Sequence, residues 1–344
     1  MADPRRRPLL LRPFARDEDV HCVVYHVVVL LACGAAFWIW LHPDSAGLSG
    51  PLAKTAFVVA AALLLGWISG VDVGVNFHNH THRRIFRAPW LNRWFGRLWT
   101  FSGGWPSFFW EHAHVRVHHA NVMEADDWTL PRRRPDGRFE SVWRYCALHW
   151  PWRYAAHLAH DFTTGRGGHQ VGRRALGELI VFAFLYSIPF WIDVPMALCL
   201  WVLPHFVANC VTMGSGMYVQ HAGGAPKSSG ARYQHSNTFL SRFFNLTMFN
   251  IGYHLEHHEL PGLHWADLPA LHRRMRATYA QEGARVVPYG YYRAARIVSS
   301  VLDPDGGYRR FTVDDQLPEF RRDAPHPQRE PEASARPRLT SRSA

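Results

Sequence analysis

The chain has almost no lysine. Lys54 and Lys227 are the only two in 344 residues, although lysine and arginine together number 38. The formal net charge of +11 is therefore carried by arginine. Cysteine is also scarce. The five present (Cys22, Cys33, Cys146, Cys199, Cys210) form no CxxC pair, and four lie in apolar runs, so they read as small core residues without a disulfide framework. No nucleotide fingerprint, HPGG haem motif or cysteine cluster occurs, which leaves the chain without a visible electron-transfer domain. A cleavable signal peptide is not evident either: RRRP is followed by polar DED, and the first apolar run lacks a small-residue cleavage site. From about residue 304 the sequence turns to Pro, Arg, Asp, Glu and Ser with little periodicity, so residues 304–344 are expected to be a disordered tail.

What the chain does have is apolar length. VHCVVYHVVVLLACGAAFWIWL (20–41) is long enough to cross a bilayer, which takes about 20 mostly apolar residues. TAFVVAAALLLGWISGV (55–71) is a second run, and ELIVFAFLYSIPFWI (178–192) and VPMALCLWVLPHFVANCVTMGSGMYV (194–219) are a third and fourth. Four such runs exceed the usual supply of core helices in a soluble protein. Arginine placement then orients them. The segment before the first run holds Arg5, Arg6, Arg7, Arg12 and Arg16, while the connection between runs one and two holds only Lys54, and Asp193 alone separates three from four. By the positive-inside rule both termini and the large middle loop are cytoplasmic. The expected fold is an all-α, multi-pass integral membrane protein: four transmembrane helices in two hairpins under a cytoplasmic helical cap. Residues 1–19 form a cytoplasmic N-terminal segment and 20–303 the membrane domain. A basic excess spread along membrane-proximal loops fits anionic lipid headgroups better than nucleic acid.

Histidine is abundant, 23 in all, and clustered. FHNHTHRR holds His78, His80 and His82; WEHAHVRVHHAN holds His112, His114, His118 and His119; YVQHAGG holds His221; GYHLEHHELPG holds His254, His257 and His258. Residues four apart share a helix face, so His78 pairs with His82, His114 with His118, and His254 with His258. His119 and His258 can reach the same centre from the edge of that stripe. Asn250, four before His254, lies on its face, whereas His80 and His112 fall on other faces and are weaker candidates. Imidazole without thiolate suits zinc, copper or iron. Eight or nine nitrogen ligands exceed one tetrahedral zinc site and fit two ions. Glu111, Glu124, Asp126, Asp127, Glu256 and Glu259 are either carboxylates that orient imidazoles or solvated loop charge.

The runs HNHTH, HVRVHH and GYHLEHHELPGLHWADLP resemble the three histidine boxes of the membrane fatty acid desaturase and hydroxylase superfamily. The HxxHH ending followed by proline is similar to that of its acyl-chain desaturases. YVQHAGG resembles the separate segment that supplies a further histidine, and is also similar to the alkane-monooxygenase branch. The likeness covers roughly residues 20–280. It implies a non-haem di-iron centre at the cytosolic ends of four helices, with dioxygen as co-substrate and a lipid or fatty acyl chain as substrate. It also implies electrons from an external donor of ferredoxin or cytochrome b5 type. By this likeness His78, His82, His114, His118, His119, His221, His254, His257 and His258 bind iron, and Asn250 approaches it through water. The middle box departs from the acyl desaturases by having three residues, not two, before its HH, which inclines toward the hydroxylases. Met217 stands where an asparagine would precede His221 by four. The expected reaction is desaturation, with hydroxylation of an alkyl, acyl or carotenoid-like chain as the alternative.

Two other classes account for clustered histidines. A metal transporter places ionisable groups near mid-membrane, and here His26 and His205 are the main candidates. A zinc hydrolase uses fewer ligands and an open water position. The aromatic run FGRLWTFSGGWPSFFW (95–110), broken by Gly103 and Gly104, either lies on the membrane surface or packs against the helices.

Overall fold

The computed structural model describes residues 8–130, 140, 142–164, 168–221, 224–287 and 290–291. The expected tail at 304–344 lies outside them. Four helical runs are long and apolar enough to cross a membrane: α1 (Asp17–Leu41), α2 (Pro51–His82), α6 (Gly172–Ile192) and α7 (Val194–His221). Between α2 and α6 come α3 (Pro89–Leu98), α4 (residues 107–121) and α5 (Trp150–Thr164). After α7 come the short helices α8 (Arg242–Thr247) and α9 (His254–Glu259), and then α10 (Leu268–Gln281). Large apolar side chains stand exposed along the four spans, Val28 and Leu31 on α1, Leu63 and Leu64 on α2, Phe184 and Trp191 on α6, and Phe206 on α7. Contiguous apolar exposure of this kind marks a surface that meets lipid.

The helix α2 does not stop at residue 71. It continues through a π-wound stretch, Asp72–Phe77, into His78–His82. Gly66, Gly70 and Gly74 form a small-residue stripe at four-residue spacing, and α7 packs onto it. A Cβ on Gly66 would stand 2.5 Å from the Val207 Cβ, and one on Gly70 2.5 Å from the Thr212 Cβ. Only hydrogen fits there, as in other close-packed membrane helices. Thus α2 and α7, which end in His82 and His221, are held backbone to backbone.

His26 and His205, the main candidates for a transporter, have structural partners. His26 Nδ1 lies 2.6 Å from Asp72 Oδ2, which joins α1 to α2. His205 Nε2 sits 2.6 Å from the Phe101 carbonyl, and its Nδ1 3.1 Å from the Tyr186 hydroxyl. Paired polar groups are what a low-dielectric interior tolerates.

The chain is mostly helical, but not all-α. Asn237–Phe239 and Arg285–Val287 form a parallel two-stranded ladder. Runs of three residues are too short to show a period of two, so sequence periodicity misses them. The ladder positions α9: Phe239 N–H donates to the Gly252 carbonyl at 2.8 Å, just before His254. A Cβ on Gly252 would come within 2.5 Å of Asn245 Oδ1 and 2.6 Å of the Phe239 carbonyl, so the GYH turn requires glycine. The run 95–110 breaks at Gly104, whose φ is +66°. Its Phe95, Trp99, Phe108 and Trp110 are buried, while Trp94 and Leu98 are exposed.

Candidate metal centre

The winding of each helix decides which histidines meet. His78 and His82 lie on an α-wound turn, so four-residue spacing places both on one side. In α4, Glu111–His118 is π-wound. A π turn closes its backbone hydrogen bond from residue i to i+5 and not i+4, which widens the turn and shifts the side-chain register. His114 therefore shares a face with His119, their Nε2 atoms 3.1 Å apart, and His118 is turned away to a second group. This differs from the four-residue pairing of His114 with His118 expected from regular α-helix. On α9, His254 and His258 share one face and His257 the adjoining one.

Two groups result. His78, His82, His114, His119 and His257 form one, and His118, His221, His254 and His258 the other; within each, the candidate ligand atoms all lie within 4.8 Å of one another. In the first, His78 Nε2 is 3.0 Å and His119 Nε2 3.1 Å from His257 Nε2. In the second, His254 Nε2 is 2.9 Å from His221 Nε2 and 3.1 Å from His258 Nε2. An ion about 2.1 Å from each nitrogen would hold two ligands at right angles about 3.0 Å apart. The observed spacings match that geometry. His82 Nε2 and His118 Nε2 are buried with no hydrogen-bond partner, which is costly for a metal-free imidazole and expected of a ligand. The groups adjoin: the His118 ring centroid is 5.2 Å from that of His114, and His119 is 4.2 Å from His258.

Burial, reinforced by neighbouring imidazoles, holds His114, His119, His254, His257 and His258 well below the usual histidine range. At neutral pH these rings keep a free lone pair, the form that binds metal.

Among the described residues, one carboxylate touches a member of either group. Asp127 is fully buried, and its Oδ1 lies 3.1 Å from His118 Nδ1. It also accepts from Met123 N–H at 2.9 Å, Thr129 N–H at 2.9 Å and the Thr129 hydroxyl at 2.7 Å. Desolvation would raise its pKa, yet the adjoining His118 and these hydrogen bonds hold it down at about 2. Its ionised oxygen fixes the proton on His118 Nδ1 and leaves Nε2 free for the centre. His221 is fixed similarly, its Nδ1 lying 3.2 Å from the His235 carbonyl. The other carboxylates do different work. Glu256 binds His272 and Thr238, Glu259 pairs with His235 and Arg232, and Glu111 with Arg84 and Arg174. Glu124 accepts from Ser228, and Asp126 is exposed.

His80 and His112 are buried but join neither group; His112 pairs with Asp161 on α5 at 3.0 Å. Asn250 lies beside α9 and not on it. It precedes the first turn of α9 in a left-handed turn (φ +59°), and its Nδ2 donates to the Trp265 carbonyl at 3.1 Å. The helical spacing that aligned it with His254 does not extend to it.

A narrow cavity of about 60 Å3 ends on His78, His114 and His254, so it touches both groups. Gly70, Gly74 and Val71 of α2 and Met213, Gly216 and Met217 of α7 line it, and Trp110, stacked on His114 at 4.9 Å, lies beside them. Apart from the histidines, Thr212 and the hydrogen-bonded Gln220 and Tyr291 are the polar groups in a mostly apolar lining.

The fold and site define a class: a helical protein with four membrane-length spans and two adjoining all-imidazole groups able to hold metal, reached by an apolar passage. The model of the family described as fatty acid desaturase matches residues 53–290, well over half of the chain, and the chain belongs to that family. It is a desaturase-like oxidoreductase. No curated protein matches the chain.

Proposed function

We propose that this protein is a membrane-bound di-iron enzyme that uses dioxygen and two external electrons to desaturate a fatty acyl chain. The observation that carries this reading is the apolar cavity, which delivers a chain to imidazoles of both groups. His78, His82, His114, His119 and His257 would hold one iron, and His118, His221, His254 and His258 the other. An unactivated methylene has no acidic proton and no leaving group, so side-chain acid–base chemistry cannot begin on it. The iron pair supplies the oxidising power, using dioxygen, to remove hydrogen from such a carbon. The chain's own residues bind and position. Asp127 sets the His118 tautomer, the α2 glycines hold α7 close so that the two histidine groups adjoin, and the mostly apolar lining limits water. In balance, two hydrogens leave adjacent carbons, and dioxygen with two electrons and two protons becomes two waters.

We infer a topology as well. The four spans form two hairpins with both termini and the metal centre on the cytoplasmic side, where arginine-rich loops suit an acidic ferredoxin or a cytochrome b5 type donor. Cysteines introduced at Ser45 and Ser341 should label from opposite sides of sealed vesicles; labelling of both from one side would overturn this arrangement.

The lengthened middle box favours hydroxylation as the second reading. Acyl lipid, reductant and labelled dioxygen separate the two. Desaturation gives a product lighter by two hydrogens, with label only in water. Label retained in the lipid would show that the same centre returns oxygen to the chain.

A further inference from the structure

The cavity at the histidines does not end blindly on its other side. It shares Trp67, Val71, Phe244 and Met248 with a wider groove of about 490 Å3. That groove is bounded by Tyr25 of α1, Trp67 of α2 and the short helix α8. Two of its walls thus come from membrane-length helices. On α8, Phe243 is 77% and Leu246 83% exposed, an arrangement unfavourable in water and favourable in lipid. Ser241 and Thr247 are the hydroxyl groups at the rim, and Arg242 beside them is exposed. Among the described residues a second, much smaller cavity of about 10 Å3 reaches His82 and His257, room for about one water.

We propose that the substrate is the acyl chain of a membrane lipid, taken laterally from the bilayer through this groove, and not a chain carried in by a water-soluble thioester. This rests on the reading of the centre as a chain-oxidising site. The headgroup stays at the surface near Ser241 and Arg242, and the chain passes the Trp67–Val71–Phe244–Met248 constriction. Val71 precedes His78 by seven residues and Trp67 by eleven, which places the constriction roughly 10–16 Å from the first ligand at the rise of a helix. The position of attack is then counted from the lipid's anchored end.

The test uses the iron-loaded protein in phosphatidylcholine vesicles. A fluorophore is attached at Met248→Cys in a Cys199→Ser background, since the other four cysteines are buried. Phosphatidylcholine with brominated chains should quench it, and a brominated water-soluble acyl thioester should not. In parallel, Val71→Trp should lower oxidation of vesicle lipid at least tenfold with iron content unchanged. The proposal is overturned if the thioester is oxidised faster than the lipid, or if Val71→Trp leaves lipid oxidation intact. Absence of quenching by brominated lipid overturns it even where Val71→Trp fails to fold. Quenching without oxidation of any chain would remove the proposed reaction while leaving the lateral route standing.

Discussion

Replacing His257 by alanine is expected to abolish chain oxidation, by about 100-fold or more, and to lower iron from two per chain toward one. His257 is the hub of the five-membered group, its Nε2 within 3.1 Å of both His78 and His119. Removing it takes a nitrogen from the centre of that group and leaves two buried rings facing a void. His118→Ala should remove the other iron, because it reduces the four-membered group to three. A loss of ligand exceeds the roughly 10–100-fold effects seen when only a ligand's support is removed. His80→Ala is the control. That ring is buried between Phe77 and Trp99 within the same box but belongs to neither group. It should lose stability through the cavity left behind and keep both irons. Metal analysis with activity on each purified variant checks all three; full loading and activity in His257→Ala would remove His257 from the centre.

Much of this centre was legible because ligand identity is written in residue type. Nine imidazoles in four segments, without thiolates, name the chemistry, and the apolar runs place them at helix ends. The partition between the two groups was not legible. It depends on winding, and HVRVHH reads as a four-residue pairing unless α4 is known to be π-wound over Glu111–His118. No helix propensity distinguishes π from α winding in that stretch. The three-residue strands were hidden for a related reason, since their order comes from the ladder itself. Asp127 was visible only as one of six carboxylates. What singles it out is complete burial and a left-handed Met123 (φ +63°) that turns the backbone N–H onto it, neither of which a single sequence displays.

The aspartate supports the second strong expectation. Asp127→Asn should weaken one of the two irons about 10–100-fold while leaving the other bound. Both carboxylate oxygens only accept: Oδ1 from Thr129 N–H, the Thr129 hydroxyl and His118, and Oδ2 from Met123 N–H. An asparagine must place its NH2 on one side or the other, so in either orientation a donor faces a buried donor. A cost of about 1–3 kcal/mol in stability follows from such an unsatisfied group. His118 then loses the charge that keeps its proton on Nδ1, and its Nε2 becomes a poorer ligand. Chelator titration should resolve two steps in the variant, the weaker one belonging to the four-histidine group. The acid limb distinguishes this from a general loosening. Asp127 has its pKa depressed to about 2, so its contribution is complete above the unfolded value and disappears only as pH falls toward 2. Metal release on acidification above that range therefore reports protonation of the imidazoles and should occur in both proteins. The variant should differ already at pH 7, where equal affinities for both irons in the two proteins would refute the role assigned to Asp127.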